Sequence, residues 1–297
     1  MTQPLNILII GLGLIGASFG KAIRHQGLAE RSVFVLGYDR SQGVAEQAVA
    51  LGVLDQAVSD LAWLPKIDVV VMAVPVMAIG TVIDDIRPLL GSLQALTDVG
   101  SVKGQVVRTV RERLGTLPAC FVPGHPIAGA EQSGVTAAKA DLFEHHMHIL
   151  TPLPESDPAA VQLITQLWQA IGADVVEMSV ERHDEVLAAT SHLPHLLAFS
   201  LVDTLARESE NREIFKYAAG GFRDFSRIAA SDPTMWHDIF LSNKDATLKV
   251  LRRFQADLTI LEQAIEHDDG DLLQTVFTRA KSARDQFTQM LAERQKN

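Results

Sequence analysis

A histidine held between prolines and glycines is the first candidate for chemistry in this sequence. His125 lies in the segment Pro-Gly-His-Pro-Ile-Ala-Gly at 123–129, directly after an apolar run that predicts a strand. An imidazole gains or loses a proton near neutral pH, so it can serve as an acid or a base. Ser101 follows a neighbouring predicted strand, and its hydroxyl can orient the ring. We expect the two to form a catalytic pair; the alternative is an ordinary histidine on an exposed surface loop.

A cluster of charged residues follows a pair of glycines near residue 220. Arg223 and Arg227 are four residues apart, Asp224 lies between them, and Gly220 begins the segment. A guanidinium is the natural bidentate partner of a carboxylate, and glycine lets a ligand approach the backbone closely. We therefore expect this segment to bind a ligand that carries a carboxylate. The alternative is a solvated helix start with only an Arg–Asp pair.

A predicted long helix over 180–207 carries two more imidazoles. Asp184 and His195 fall on one face of it at a period of about 3.6 residues, and His192 lies on the adjacent strip. Pro194 predicts a bend. From these residues alone, a ligand contact and a purely structural role are equally open for His195.

The beginning of the chain predicts the scaffold that positions these groups. Gly11, Gly13 and Gly16 have the spacing G-x-G-x-x-G between an apolar strand that starts at Leu5 and a helix. In a dinucleotide-binding turn, such glycines permit the turn, admit the pyrophosphate and let helix and strand pack closely. A second predicted strand ends at Asp39, where a carboxylate can accept hydrogen bonds from a ribose. The alternative is an ordinary glycine-rich turn with a chance aspartate.

Alternating strand and helix patterns predict an α/β, doubly wound parallel sheet over residues 1–178. The strands after the second are predicted near residue 57 and at 68–76, 95–99, 120–123, 148–151 and 174–178. Only helical periodicity follows, so residues 179–297 are predicted to form an all-helical domain. Its last two helices, over 243–294, carry apolar stripes that need a partner surface, which favours a homodimer.

Composition narrows the class of protein. The chain has 297 residues, 47% of them hydrophobic, and a formal net charge of −10, which argues against a nucleic-acid or anionic membrane partner. Cys120 is the only cysteine, as expected in a reducing cytoplasm. We expect no signal peptide and no stretch of about 20 apolar residues that could span a bilayer. The histidines at 145, 146 and 148 lack ligand partners at a recognisable spacing, so no metal site is predicted.

Five segments together resemble the prephenate/arogenate dehydrogenase (cyclohexadienyl dehydrogenase) family of tyrosine biosynthesis. They are GLGLIG at 11–16, DVGSVKG at 98–104, GHPIAGAEQSG at 124–134, ATSHLPH at 189–195 and GGFRDFSRIAASDP at 220–233. The last four are far more specific than the first, and together they span nearly the whole chain. The resemblance implies a Rossmann domain followed by a helical dimerisation domain, with the site in the cleft between them.

The resemblance also implies a reaction: prephenate loses a hydride to NAD and CO₂ from its ring, giving 4-hydroxyphenylpyruvate. His125 matches the histidine that takes the proton of the ring hydroxyl, and Ser101 the serine that orients it. Arg227 matches the arginine that binds a substrate carboxylate. Substrate contacts are also implied for His195, Gly220 and Asp224. The residues implied to bind the cofactor are Gly11, Gly13, Leu14, Ile15, Gly16, Asp39, Arg40, Val74, Pro75 and Ser101.

Some specificities stay open. Arogenate differs from prephenate only in an amino group for a keto group, so an arogenate or dual-substrate dehydrogenase is the alternative. Asp39 favours NAD, although Arg40 and Ser41 could accept the 2′-phosphate of NADP. Ala130 stands where some relatives carry threonine, so that hydroxyl contact is absent. The chain shows no regulatory domain and no fused chorismate mutase, so any inhibition by tyrosine is expected to act at or near the active site.

Two other kinds of protein fit the sequence less well. A β-hydroxyacid dehydrogenase relies on a lysine in its helical domain, and the segment 180–207 contains none. A protein that binds NAD without turnover has no need for His125 together with Ser101. Both are therefore less favoured than the dehydrogenase of a cyclohexadienol.

Overall fold

Strands and helices both occur up to residue 177, and helices without strands follow in the described part of the chain. The structure is a computed structural model that describes residues 4–28, 31–62, 64–130, 132–208 and 211–294. The strands are β1 (Leu5–Ile10), β2 (Val33–Tyr38), β3 (Gln56–Ala57), β4 (Val69–Met72), β5 (Ala95–Asp98), β6 (Phe121–Val122), β7 (Gly124–Pro126), β8 (Met147–Leu150) and β9 (Asp174–Glu177). The helices are α1 (Leu14–Gln26), α2 (Gln42–Ala50), α3 (Ile79–Ile86), α4 (Lys103–Leu114), α5 (Pro158–Ala170), α6 (Val180–Leu187), α7 (Leu193–Ala206), α8 (Asn211–Lys216), α9 (Gly220–Ser226), α10 (Pro233–Ser242), α11 (Lys244–Glu266) and α12 (Gly270–Arg294).

Six parallel strands form the first sheet in the order β3-β2-β1-β4-β5-β6. Ile7 and Ile9 of β1 belong to one apolar core and Leu8 and Ile10 to another, because successive side chains point to opposite faces and both faces are covered. After β3 the chain crosses to the other side of β1, and ligands bind at the carboxyl ends of strands where the order reverses in this way. The predicted α/β Rossmann-type class with a helical second part is confirmed.

A second, three-stranded sheet departs from the single predicted sheet. Its order is β7-β8-β9, with β7 antiparallel to β8 and β8 parallel to β9. Pro123, which has no N–H for a ladder, separates β6 from β7. His125 therefore lies in a buried strand opposite Ile149, with 8% of its surface exposed. The alternative of an ordinary histidine on an exposed surface loop is therefore wrong.

The glycine turn after β1 packs against the end of β4. Gly11 has φ +94°, and a Cβ there would lie 2.7 Å from the carbonyl carbon of Ala73. A Cβ on Gly16 would lie 2.8 Å from the Cβ of Ala73. At Gly13 a Cβ would meet nothing within 4 Å, and the first turn of α1 contains no acidic residue. Two glycines are thus required for packing, and the third faces open space at the positive end of a helix.

The helical segment that follows the sheets is continuous but not uniform. Ser179 caps α6 by accepting a hydrogen bond from the Arg182 amide at 3.1 Å. Residues 188–192 form a π-helical turn, after which α7 begins with Pro194 in its first turn. Because a proline has no N–H, Pro194 cannot donate the regular helical hydrogen bond to the preceding turn. The wider π-helical turn lies at this point of the helix. The turn also interrupts the period on which a shared face for Asp184 and His195 was predicted.

The same segment is the one stretch of the described chain that could cross a membrane by length and composition. It covers 27 residues, Val180–Ala206, and its most apolar window has a mean hydropathy of 1.2. Histidine, serine and threonine interrupt its apolar residues, so the segment contains no uninterrupted run of about 20 apolar residues. Core helices of soluble proteins share these properties, and a single such helix is a weak indication of a membrane.

The chain divides into two compact units, Met1–Lys244 and Asp245–Asn297. In the second unit, α11 and α12 form the predicted helix pair, with the break between Glu266 and Gly270. Its exposed large apolar side chains are Leu258, Ile260, Ile265, Phe277, Phe287, Met290 and Leu291. The predicted domain boundary between residues 178 and 179 coincides with the change from strands to helices, and its role as a domain boundary stays a prediction.

The packing of the glycine turn leads to a test on stability. Gly16→Ala should lower the free energy of unfolding by about 1–3 kcal/mol, because the added methyl group overlaps Ala73 in a closely packed turn. Gly13→Ala adds the same group in open space and should change it by less than about 0.5 kcal/mol. Urea denaturation of both variants measures the difference, and equal losses would show that the turn is not packed as described.

Candidate active site

Three strands of the first sheet deliver their following residues to one edge. Ile10 pairs with Met72, and Met72 pairs with Asp98, so β1, β4 and β5 end side by side. The glycine turn, the segment 73–75 and the segment 99–102 therefore meet at this edge. Within these segments Val74 and Ser101 are half-buried and Pro75 is exposed.

Asp39 lies beside the glycine turn at this edge. One carboxylate oxygen of Asp39 accepts a hydrogen bond from the Leu12 amide at 3.0 Å, and the other accepts one from the Ser41 amide at 3.0 Å. The carboxylate is thereby held next to the glycine turn, where an adenosine ribose is recognised in dinucleotide-binding folds. Arg40 follows with an exposed side chain. The open face of Gly13 and the held carboxylate of Asp39 are features that a dinucleotide-binding turn requires.

His125 is bound through its Nδ1 atom, and its partner is a second histidine. His125 Nδ1 lies 2.9 Å from His183 Nε2, and His183 Nδ1 lies 2.8 Å from an Asp184 carboxylate oxygen. The expected orienting serine makes no such contact, since no hydrogen bond joins Ser101 to His125 in the described part of the chain. With Nδ1 held by His183, Nε2 is the ring nitrogen that is left for a serine or a ligand.

Asp184 joins α6 to the start of α4. Its Oδ1 accepts a hydrogen bond from the Lys103 amide and its Oδ2 one from the Gly104 amide, both at 2.9 Å. These are the first two residues of the helix, whose amides have no partner within it. Hydrogen bonds from His183 and from these amides hold the pKa of Asp184 below its usual value in spite of its burial. Asp184 is therefore a carboxylate at neutral pH.

A buried ion pair lies beneath His125. Lys103 Nζ contacts the carboxylate of Asp98, and both side chains are fully buried. Nζ also donates to the Gly124 carbonyl oxygen at 2.6 Å, while the Asp98 carboxylate accepts from the Gly100 amide at 2.8 Å. Burial lowers the pKa of Lys103, and Asp98 opposes that shift. The pair therefore fixes both the loop after β5 and the strand that carries His125.

Burial keeps the histidines near this site neutral. The pKa of His125 lies well below its usual value, mainly through burial and further through His183 and Lys103. Burial also lowers the pKa of His183, and it lowers that of His192 to about 4. His148 is fully buried with neither ring nitrogen hydrogen-bonded, and it stacks on Trp168 at 3.8 Å. A neutral His125 has one nitrogen with a lone pair, which is what a base requires.

His195 and Arg227 come together on the helical side of the first unit. His195 Nδ1 donates to the Ser191 carbonyl oxygen at 2.8 Å, and its ring stacks on Trp236 at 3.8 Å. Burial lowers the pKa of His195, and the positive charge of Arg227 lowers it further. Arg227 begins a short turn that packs on α7, and its side chain is exposed. Gly220 and Asp224 lie on the neighbouring helix α9 and are exposed.

Comparison with known proteins identifies the family. Residues 19–177 match the profile "Prephenate dehydrogenase, nucleotide-binding domain", and residues 179–279 match "Prephenate dehydrogenase, dimerization domain". The chain belongs to the prephenate dehydrogenase family. It is 40% identical to cyclohexadienyl dehydrogenase from Zymomonas mobilis, over 96% of each chain. It is 38% identical to prephenate dehydrogenase from Bacillus subtilis, over 94% of this chain and 75% of the relative.

Solved structures agree with this assignment. The structure of prephenate dehydrogenase from Aquifex aeolicus in complex with hydroxyphenyl propionate and NAD⁺ matches with a TM-score of 0.87 at 37% identity, over 96% of this chain and 99% of that one. Synechocystis arogenate dehydrogenase matches with a TM-score of 0.79 at 26% identity, over 95% of this chain and 100% of that one. The resemblance stated from the sequence is therefore confirmed, and the roles of individual site residues stay predictions.

Sequence reasoning missed three residues that the structure places around His125. Lys103 and Asp98 lie in a segment chosen for the resemblance, but their pairing was not predicted. An acid at the end of a buried strand, five residues before a lysine in an apolar setting, is the signal that was available. His183 was not predicted, since a histidine beside an aspartate at a helix start is typical of a solvated surface. Only the packing of α6 against α4 turns that pair inward.

Four buried histidines predict a loss of stability in acid. His125, His148, His183 and His192 have lowered pKa values in the folded protein and the ordinary value of about 6.5 when unfolded. The unfolded chain therefore binds more protons below about pH 6.5, so the free energy of unfolding should fall there by up to about 1.4 kcal/mol per pH unit for each histidine. For His192 this window runs from about pH 6.5 down to about 4.

Urea denaturation at pH 7.5, 6.0 and 5.0 measures this slope. His192→Asn removes one titrating group and should make the slope shallower by up to about 1.4 kcal/mol per pH unit. An unfolding free energy that does not change between pH 7.5 and 5.0 would contradict the description of these histidines as buried and neutral.

Proposed function

We propose that this protein catalyses the NAD⁺-dependent oxidative decarboxylation of prephenate to 4-hydroxyphenylpyruvate. The observation that carries the proposal is a buried, neutral His125, bonded at Nδ1 only, in a chain that belongs to the prephenate dehydrogenase family. Its Nε2 is the atom able to accept the proton of the substrate hydroxyl. Ser101, half-buried in the loop after β5, is proposed to face the same substrate and the cofactor.

The positive charge of Arg227 supplies the second part of the proposal. Prephenate carries two carboxylates, and a guanidinium binds a carboxylate in a bidentate fork. We place Arg227 at one of these carboxylates, His195 near the substrate, and Gly220 and Asp224 along the same pocket. The ring of His195 is held by Ser191 and Trp236, so it can offer a fixed Nε2 to a ligand.

NAD is the proposed cofactor, and when bound it accepts the hydride. The glycine turn with its neighbours Leu14 and Ile15 is proposed to bind the phosphates, and Asp39 the adenosine ribose. Arg40, Val74 and Pro75 are proposed to line the same cofactor site. A 2′-phosphate would meet the Asp39 carboxylate, which supports NAD over NADP. The complex of the Aquifex aeolicus relative with NAD⁺ supports the same choice for a similar fold.

Arogenate is the second candidate substrate. The similarity to a cyclohexadienyl dehydrogenase and to an arogenate dehydrogenase favours it specifically. We further propose that the protein is a cytoplasmic homodimer. Any inhibition by tyrosine is proposed to act at its active site. The match to a dimerization domain and the exposed apolar side chains of α11 and α12 support the dimer.

A direct assay tests the reaction. The purified protein is mixed with prephenate or arogenate and with NAD⁺ or NADP⁺, and formation of reduced nicotinamide is followed. We expect the highest kcat/KM with prephenate and NAD⁺. A higher kcat/KM with arogenate would select the second candidate. No signal with either substrate on either cofactor would reject the enzyme.

Two substitutions test the proposed roles separately. His125→Asn should lower kcat by about 10²–10⁴-fold, the usual share of general acid–base catalysis, while the affinity for NAD⁺ is retained. Arg227→Ala should chiefly raise KM for the substrate, and Arg223→Ala, one helical turn earlier, is the matched control. An unchanged kcat in the first variant removes His125 from the chemistry. Equal KM values for the two arginine variants place the carboxylate site elsewhere.

The dimer has its own measurement. Light scattering on the purified protein should give twice the 32.3 kDa mass of the chain. Phe277→Asp puts a charge on an exposed apolar side chain of α12 and should shift the protein towards the monomer, whereas Thr278→Asp is a neighbouring control off the apolar stripe. A monomeric wild type would reject the proposal.

A further inference from the structure

The hydrogen bonds behind His125 run in a chain whose far end is fixed. The chain passes from His125 to His183, then to Asp184, and ends on the backbone amides of Lys103 and Gly104. Backbone amides can only donate, and an ionised carboxylate can only accept. The direction of every hydrogen bond in the chain can therefore be assigned from this end.

The assignment starts at Asp184. Its carboxylate is ionised, so His183 must donate to it from Nδ1. His183 is neutral, and a neutral imidazole has only one N–H, so its Nε2 carries the lone pair. This nitrogen lies 2.9 Å from His125 Nδ1, which must then be the donor. A neutral His125 is left with its lone pair on Nε2.

We propose that His183 is a positioning residue that fixes His125 in the tautomer with a basic Nε2, and that Asp184 and the start of α4 fix His183. The inference deepens the proposed function and rests on it for its catalytic part. In the reaction, the substrate hydroxyl proton moves to Nε2 of His125, and the O–H electron pair forms the C=O bond as the hydride leaves the same carbon for the proposed cofactor NAD⁺, before the ring loses CO₂. His125 then carries both protons and a positive charge. His183 accepts from Nδ1 throughout, so no second proton has to move.

The opposite tautomer would disable the base. If Asp184 became a donor, His183 would accept at Nδ1 and carry its proton on Nε2. His125 would then have to accept at Nδ1, and its remaining proton would occupy Nε2, the position needed for the substrate. Asp184→Asn makes this change when the carboxamide oxygen takes the place of Oδ2 and accepts from the Gly104 amide; its NH₂ group then takes the place of Oδ1, donates to His183 and leaves the Lys103 amide without its acceptor.

The tautomers are read directly by ¹⁵N NMR of histidine side chains at pH 7.5, with His125 and His183 assigned through His125→Asn and His183→Gln. In the wild type, both should show a protonated Nδ1 and an unprotonated Nε2. In Asp184→Asn, His125 should shift to a protonated Nε2. A wild-type His125 with its proton on Nε2 overturns the proposal. This measurement needs neither substrate nor turnover, so it decides the tautomer even if the proposed reaction fails.

Kinetics test the consequence. Asp184→Asn should lower kcat by about 10²–10⁴-fold with KM within about threefold, because the reacting atom is changed and the substrate contacts are not. His183→Leu removes the acceptor and should lower kcat similarly, while His183→Gln, which offers an amide oxygen near the former Nε2, should recover at least about tenfold over the leucine variant. Equal rates for the two His183 variants would overturn the positioning role.

A matched control separates two effects of Asp184→Asn, the change of the His125 tautomer and the loss of a helix cap. Asp157 also accepts a backbone amide at a helix start, that of Ala159 at 2.8 Å in α5, with no histidine in the chain of contacts. Asp157→Asn should leave kcat and the His125 tautomer unchanged. A similar loss of kcat in Asp157→Asn and Asp184→Asn would show that capping alone is responsible. If Asp184→Asn fails to fold, the wild-type tautomer and the His183 pair still decide the question.

Discussion

The buried pair of Asp98 and Lys103 is the interaction on which the site depends. It ties the end of β5, the start of α4 and the strand that carries His125 into one arrangement. Two charges taken out of water are stable only when they are paired and hydrogen-bonded, and here both ions also bind backbone groups. Loss of one partner would leave an uncompensated buried charge, a change that typically costs about 3–5 kcal/mol.

The start of α4 contacts both the sheets and the helices of the first unit. The side chain of Lys103 donates to the Gly124 carbonyl oxygen in β7, while the first two amides of α4 donate to Asp184 on α6. Val102, just before the helix, packs with Trp236 of α10, the residue on which His195 stacks. A short stretch of backbone thus sets the positions of groups from the sheet and from three helices. A displacement of this helix start would move all of them together.

Local patterns were enough to predict most of the scaffold and several of the site residues. The glycine spacing and apolar runs predicted β1, α1 and the parallel sheet, because these signals depend on neighbours in sequence. The second sheet was not predicted, since the two-residue strand β6 and Pro123 look the same whether the chain stays in the first sheet or leaves it. His183 and Lys103 were missed because their roles arise from contacts 58 and 21 residues away along the chain. No local pattern encodes these two contacts, whereas the pairing of Lys103 with Asp98, five residues earlier, had a local signal.

The π-helical turn at 188–192 makes the length of this segment critical. Deleting one residue there would convert it to regular helix and rotate everything after it by about 100° about the helix axis. Asp184 and His183 would keep their places, while His195 would turn away from the indole of Trp236. The wider turn therefore sets the rotation of α7 about the helix axis relative to α6. Homologous chains that retain both halves of the site are therefore expected to tolerate substitutions in this turn far better than insertions or deletions.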